Sequence, residues 1–202
     1  QIMQRAADIS TQAHQRAMQT TCPGMREYEI EAELLYTFYR HGAQAPAYTS
    51  IVAGGANACV LHYVDNNAEL KSGDLLLIDA GCELDGYASD ITRTFPINGR
   101  FTPQQRDVYQ LVLAAQLEAI EQVKPGNRWN DPHQAALRVL AQGFLDLLLF
   151  LPVVHIEQGG EFVNDNDGVS QDFQFLDGVY FHFVGNFCPQ SVGVQAEVVS
   201  LR

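Results

Sequence analysis

The segment Leu75-Leu76-Leu77-Ile78-Asp79-Ala80-Gly81-Cys82-Glu83-Leu84-Asp85-Gly86-Tyr87-Ala88-Ser89-Asp90-Ile91-Thr92-Arg93-Thr94-Phe95 decides how this chain folds. It reads as two strands about a turn at Leu84-Asp85-Gly86. If Leu84 and Asp85 are the central turn residues, Asp79 faces Asp90 directly. If Asp85-Gly86 are central, the stronger turn dipeptide, the two aspartates are diagonal neighbours. Both registers put the two side chains on one face, because strand side chains alternate with period two.

That placement has an energetic consequence. Asp79 follows the apolar run Leu75–Ile78, so it is expected deep in a sheet. Side chains directly opposed across an antiparallel pair lie roughly 4.5–5.5 Å apart at Cβ, and like charges there repel. A buried carboxylate is costly or takes up a proton. Two metal ions about 3.5–4 Å apart would turn the repulsion into coordination. A competing reading has one aspartate capping a turn and the other paired with Arg93. Spacing alone leaves both open.

Outward from this hairpin, helix and strand patterns alternate. Residues 1–20 read as a helix with Ile2, Ala6, Ile9, Ala13 and Ala17 at helical spacing. Cys22-Pro23-Gly24 breaks it, and a second helix from about Arg26 to Arg40 ends at His41-Gly42. Strand-length segments follow at Ser50–Ala53, Cys59–Tyr63 and Leu75–Ala80. Then Thr102-Pro103-Gln104-Gln105 opens a helix with a threonine cap, proline in the first turn and glutamine three after the cap. Pro125-Gly126 breaks that helix, Asp131-Pro132 opens another, and strand-like runs recur at Val179–Val184 and Val192–Ser200. Helix, Pro-Gly, helix and strands, twice over, predict an internal duplication, with a first half of about residues 1–100 and a second of about 101–202. A site at the join of the halves is the natural expectation.

Bulk properties narrow the class. The 202 residues are 47% hydrophobic and 18% charged, a globular composition with material for a sizeable core. The formal net charge of −12 argues against nucleic acid and anionic membrane surfaces as partners. No run approaches the roughly 18 apolar residues of a membrane helix. Cys22, Cys59, Cys82 and Cys188 show no paired spacing, which predicts reduced thiols and a cytoplasmic location. Gln1 stands inside a helical pattern, so the expected start of the protein lies upstream.

Ile78-Asp79-Ala80-Gly81 followed by Ser89-Asp90-Ile91-Thr92-Arg93-Thr94-Phe95 resembles the paired-aspartate signature of the pita-bread metallopeptidases, which include aminopeptidase P, prolidase and methionine aminopeptidase. Asn57-Ala58-Cys59-Val60-Leu61-His62-Tyr63 and Pro96-Ile97-Asn98-Gly99-Arg100-Phe101-Thr102 resemble bacterial aminopeptidase P (Xaa-Pro aminopeptidase) in particular. The likeness runs almost without a gap from about Gln1 to Gly126.

It implies an α+β pita-bread fold, with two pseudo-symmetric halves of helix pair and antiparallel strands around a curved sheet, and an N-terminal domain before it. It further implies two divalent metal ions, usually Mn2+, a choice that carboxylate-rich ligation favours independently. Asp79 and Asp90 would be ligands, sharing the site with one histidine and two glutamates from the second half. A hydroxide bridging the metals would attack the bond before proline, releasing the N-terminal residue of a peptide with proline at the second position. A homo-oligomer is compatible with this reading. His62 is either a structural hydrogen-bonding residue or, as the resemblance implies, a catalytic and substrate-binding group of the cleft. Tyr48 is a substrate-pocket residue or core packing.

The second half departs from the pattern. In Tyr180-Phe181-His182-Phe183-Val184-Gly185-Asn186-Phe187, His182 matches the first of two expected histidines, as a catalytic group. Asn186 stands where the ligating one is expected. After His182 only Glu197 remains as a glutamate ligand, followed by Val198 instead of proline. An incomplete or partly misread enzyme, a degenerate relative and a rearranged second half all account for this. The rival functions are a prolidase acting on Xaa-Pro dipeptides and a non-catalytic pita-bread binding protein.

Overall fold

The computed structural model describes residues 1–150. Two helices open the chain, α1 (Ile2–Thr20) and α2 (Glu27–Arg40). Six short strands follow: β1 (Ala45–Pro46), β2 (Ile51–Gly54), β3 (Leu75–Ala80), β4 (Cys82–Leu84), β5 (Tyr87–Ala88) and β6 (Ile91–Pro96). A second helix pair, α3 (Pro103–Glu121) and α4 (Asp131–Phe150), completes the described part. Gly42 adopts φ 90° just past α2, a conformation that glycine reaches without strain and that ends the helix where its sequence stops. Thr102 caps α3 by accepting a bond from the Gln105 backbone at 3.2 Å, and the Gln105 side chain accepts in return from the Thr102 N–H at 2.9 Å.

The strands form two antiparallel sheets, ordered β1-β4-β5 and β2-β3-β6. The pairs Asp79↔Thr92 and Glu83↔Ala88 share one register, so β3–β4 and β5–β6 make a single long hairpin bent at Gly81 and Ser89. Its turn is centred on Asp85-Gly86, both with positive φ (52° and 81°). This is the second of the two registers drawn above, and the aspartates are accordingly diagonal.

The back of β2-β3-β6 carries Val52, Leu76, Ile78 and Ala80, all buried against α1 (Ala6, Ile9, Ala13, Ala17) and α2 (Ile30, Leu34, Phe38). α1 is fastened to the bend. The Ser10 and Ser89 hydroxyls bond at 2.7 Å, and the Cys82 N–H donates to both, at 3.1 and 3.0 Å. α3 repeats the pattern of α1: Ala115 and Ala119 are buried against α4, as Ala13 and Ala17 are in the first core. The second-half strands expected from sequence lie outside the described residues.

One expected strand is absent. Cys59–Tyr63 is not extended; a 3₁₀ turn occupies Gly55–Cys59, and His62 adopts φ 54°. That left-handed backbone cannot join a ladder, and the Tyr63 side chain turns inward to hydrogen-bond Glu27 instead of alternating across a sheet.

Candidate functional site

The front of the same sheet is where the two aspartates converge. Asp79, the last residue but one of β3, is 6% exposed, with Ile51 of β2 on one side and Thr92 of β6 on the other. Asp90 precedes β6 at the bend, facing Gly81 in the continued register. The absent side chain at Gly81 is what the bend requires: a Cβ there would lie 1.7 Å from the Ser89 carbonyl oxygen. Arg93, one residue on from Thr92, belongs to the other face by alternation. It pairs with neither aspartate among the described residues, so the ion-pair alternative is not the arrangement adopted.

Tyr48 comes from the crossing between β1 and β2. Ala45 and Pro46 pair with Glu83 and Cys82, and the Ala47 N–H continues that pairing onto the Gly81 carbonyl at 2.9 Å. The next residue therefore arrives at the bend. Its hydroxyl lies 2.6 Å from Asp79 Oδ1 and 3.0 Å from Asp90 Oδ1. Burial, and then the two carboxylates, push the Tyr48 pKa far up, so the phenol remains a donor. It has one proton for two anions, so at any moment one carboxylate goes without it.

Burial also raises the Asp79 pKa above the ordinary 3.8. The Asp90 charge adds to this, while the hydroxyls of Tyr48 and Thr92 and the charge of His62 oppose it. The Thr92 hydroxyl is buried without a well-formed hydrogen bond of its own. His62 stands on the exposed tip Val60-Leu61-His62, near enough for its charge to act on Asp79.

These residues fit a hard divalent cation: two carboxylates on one face, a single shared proton between them, and a spare hydroxyl alongside. The described residues do not complete such a site, since among them no three histidine, cysteine, aspartate or glutamate side chains converge on one point. The expected contributors His182 and Glu197 lie outside the described residues. Sequence reasoning left Tyr48 between pocket and core, and gave Thr92 and Glu27 no role. Thr92 was legible in principle as the partner of Asp79 in one register. Glu27 carried no signal, being one of four glutamates in Glu27-Tyr28-Glu29-Ile30-Glu31-Ala32-Glu33.

Comparison with known proteins supplies the family. The Xaa-Pro aminopeptidase of Haemophilus influenzae is 53% identical over 146 residues, covering 72% of this chain and 34% of that protein. The Escherichia coli Xaa-Pro aminopeptidase is 45% identical over the same length, 33% of its own. The Pseudomonas aeruginosa aminopeptidase PepP structure superposes with a TM-score of 0.72 at 54% identity, covering 75% of this chain and 34% of that one. The chain thus spans about a third of the length of the relatives it matches, and shares their α+β pita-bread fold. Among the described residues no helix is long and apolar enough to cross a membrane. The model of metallopeptidase family M24 matches residues 1–194, nearly the whole of the sequence that carries the paired aspartates, and the chain belongs to that family.

Proposed function

We propose that this chain carries part of a dinuclear metal centre of an Xaa-Pro aminopeptidase, with Asp79 and Asp90 as ligands and Mn2+ as the ion. The observation that carries the reading is the Tyr48 hydroxyl within hydrogen-bond reach of both carboxylates on one sheet face. Two anions held this close, with one neutral donor between them, form a place that a dication stabilises. Divalent ions bound there supply Lewis acidity and lower the pKa of water.

The chain's own residues do the rest. The bend at Gly81 brings the aspartates together, and Tyr48 orients them. His62 presents an imidazole beside the same face, suited to holding a proton or stabilising charge on the scissile carbonyl. His182 and Glu197 are proposed to complete the catalytic and ligand sets. The substrate is a peptide with proline at its second position, a choice supported by the names of the relatives. Two halves of about 1–100 and 101–202, a homo-oligomer and a cytoplasmic location belong to the same proposal.

The test is hydrolysis of an Xaa-Pro-Xaa tripeptide together with metal analysis. Asp79→Ala and Asp90→Ala should each lose manganese and at least about a hundredfold in kcat/KM, and the double variant should be little worse than either. His62→Ala should keep its metal and lose rate. Full activity in metal-free Asp79→Ala would defeat the reading. A parent that neither binds manganese nor cleaves peptide would favour a binding protein, and cleavage of dipeptides alone a prolidase.

A further inference from the structure

The functional reading leaves one buried acid unused. Glu27, the first residue of α2, is 0% exposed. A buried carboxylate is tolerated where its oxygens are satisfied, and here four donors do so. Oε1 accepts from the Gly54 N–H at 2.8 Å and the Asn57 amide at 3.0 Å. Oε2 accepts from the Tyr63 hydroxyl at 2.7 Å and the Ala68 N–H at 2.9 Å. The positive end of the α2 dipole also favours an anion at this position.

The donors have a pattern. One ends β2, one lies in the 3₁₀ turn, and two follow the exposed tip Val60-Leu61-His62. Within that tip His62 holds φ 54°, a backbone region that a non-glycine residue keeps only when its surroundings enforce it. The tip itself has little to enforce it, since Val60 is 56% and Leu61 69% exposed. Enforcement comes from the flanks. Asn57 binds Tyr63 across the base of the tip at 3.0 Å, and both bind Glu27. Just beyond, buried Asn66 accepts from the Val52 N–H at 3.0 Å and donates to the Ser50 carbonyl at 2.9 Å.

We propose that Glu27 is a positioning residue for His62: its carboxylate clamps both flanks of the tip, and so holds the imidazole against the Asp79 face. The inference rests on the reading of His62 as a cleft residue. Glutamine at this position keeps the shape but turns one acceptor oxygen into a donor, which then faces two donors already in place. One side of the clamp must open, while β3, β6 and the two aspartates are untouched.

The experiment compares the parent chain with Glu27→Gln, His62→Ala and the double variant in Mn2+-containing buffer. It follows kcat and KM on an Xaa-Pro-Xaa tripeptide, manganese content, and amide hydrogen exchange. In Glu27→Gln, exchange across residues 57–68 should rise at least about tenfold while β3 and β6 hold, since local opening is set by local contacts. Metal content should stay, and kcat should fall about ten- to a hundredfold with KM little changed, the scale of a misplaced group. The double variant should be no slower than His62→Ala. An acid that merely stabilised the fold would leave kcat intact, or add its loss to that of His62→Ala, and either result overturns the proposal. A parent that cleaves no Xaa-Pro peptide defeats the functional reading instead. The exchange measurement then decides the clamp alone, unchanged exchange at 57–68 sinking it. Should Glu27→Gln fail to fold, Tyr63→Phe removes one donor of the four and is read in the same way at smaller amplitude.

Discussion

The two faces of the β2-β3-β6 sheet are built from alternate residues of the same strands, and they obey opposite rules. Behind the sheet, Leu76, Ile78 and Ala80 are sealed against α1 and α2, and the polar atoms at the bend are tied into the Ser10–Ser89–Cys82 network. In front, Asp79 and Asp90 share one phenol proton, and the Thr92 hydroxyl has no well-formed bond. A one-residue step along β3 separates an apolar core from a face that carries both carboxylates. Stability is concentrated on one face and chemical potential on the other. Gly81 serves both, because it permits the bend from which the network and the carboxylates hang.

The largest effects should come from breaking the back face or the bend. Ile78→Ala removes a fully buried side chain and should cost about 2–5 kcal/mol in a urea melt. Gly81→Ala places a methyl group into the Ser89 carbonyl, which backbone movement alone can relieve, and should cost about 3 kcal/mol or more. The two should differ in manganese binding. Ile78→Ala should leave it intact in the folded fraction, whereas Gly81→Ala should weaken it by displacing Asp90. Equal metal affinity in both variants would mean that the bend does not set the geometry of the front face.

How much of this was legible in the sequence follows from the same contrast. The period-two argument places Asp79 and Asp90 on one face without any coordinates, and the Asp85-Gly86 turn selects the register the hairpin adopts. Helix ends were legible because caps and stops are local: Gly42 and Thr102 act where their sequences put them. The 3₁₀ turn and the His62 tip were not, since an apolar run of five residues looks like a strand until its tertiary anchors are known. Those anchors include Glu27, whose burial depends on donors up to forty-one positions away in the chain. Tyr48 illustrates the same limit. Its aromatic ring is compatible with core or pocket, and only the crossing of β1 to β2 at the bend delivers its hydroxyl to both carboxylates.

A smaller effect sharpens the account of the front face. Tyr48→Phe removes the donor between the aspartates and should lower the stability of the metal-free chain by about 1–2 kcal/mol, as the loss of a hydrogen bond to a charged group does. Raising the ionic strength should recover part of that loss, because the exposed Asp90 charge is open to screening. Saturating Mn2+ should close the gap between variant and parent, since a dication does for the carboxylates what the phenol does in its absence. A gap that Mn2+ leaves unchanged would argue that the phenol stabilises something other than this pair.

The smallest predicted effect concerns the back face and its buried histidine. His14 on α1 is 2% exposed. Its Nδ1 lies 2.9 Å from the Ser10 carbonyl, so Nδ1 carries the hydrogen and donates it, and Nε2 is buried without a partner. Burial lowers its pKa below the ordinary 6.5; the Ser10 carbonyl opposes this and the Arg93 charge adds to it. The unfolded chain therefore takes up a proton at a pH where the folded chain resists it. Stability contributed by neutral His14 is present above pH 6.5 and is lost as pH falls below it, continuing down to the folded-state pKa. One proton sets the slope, at most about 1.4 kcal/mol per pH unit. His14→Gln keeps a donor for the Ser10 carbonyl and cannot take up a proton. Its urea midpoint should fall less than that of the parent as the pH is lowered from 7 to 5. The front face should respond in the opposite sense. Asp79, with its pKa raised by burial, takes stability from the metal-free fold as the pH rises from the ordinary 3.8 up to its folded-state value; parent and His14→Gln share that contribution, so it drops out of their comparison. Parallel pH profiles for parent and His14→Gln would show that the histidine is not the group that the back face holds neutral.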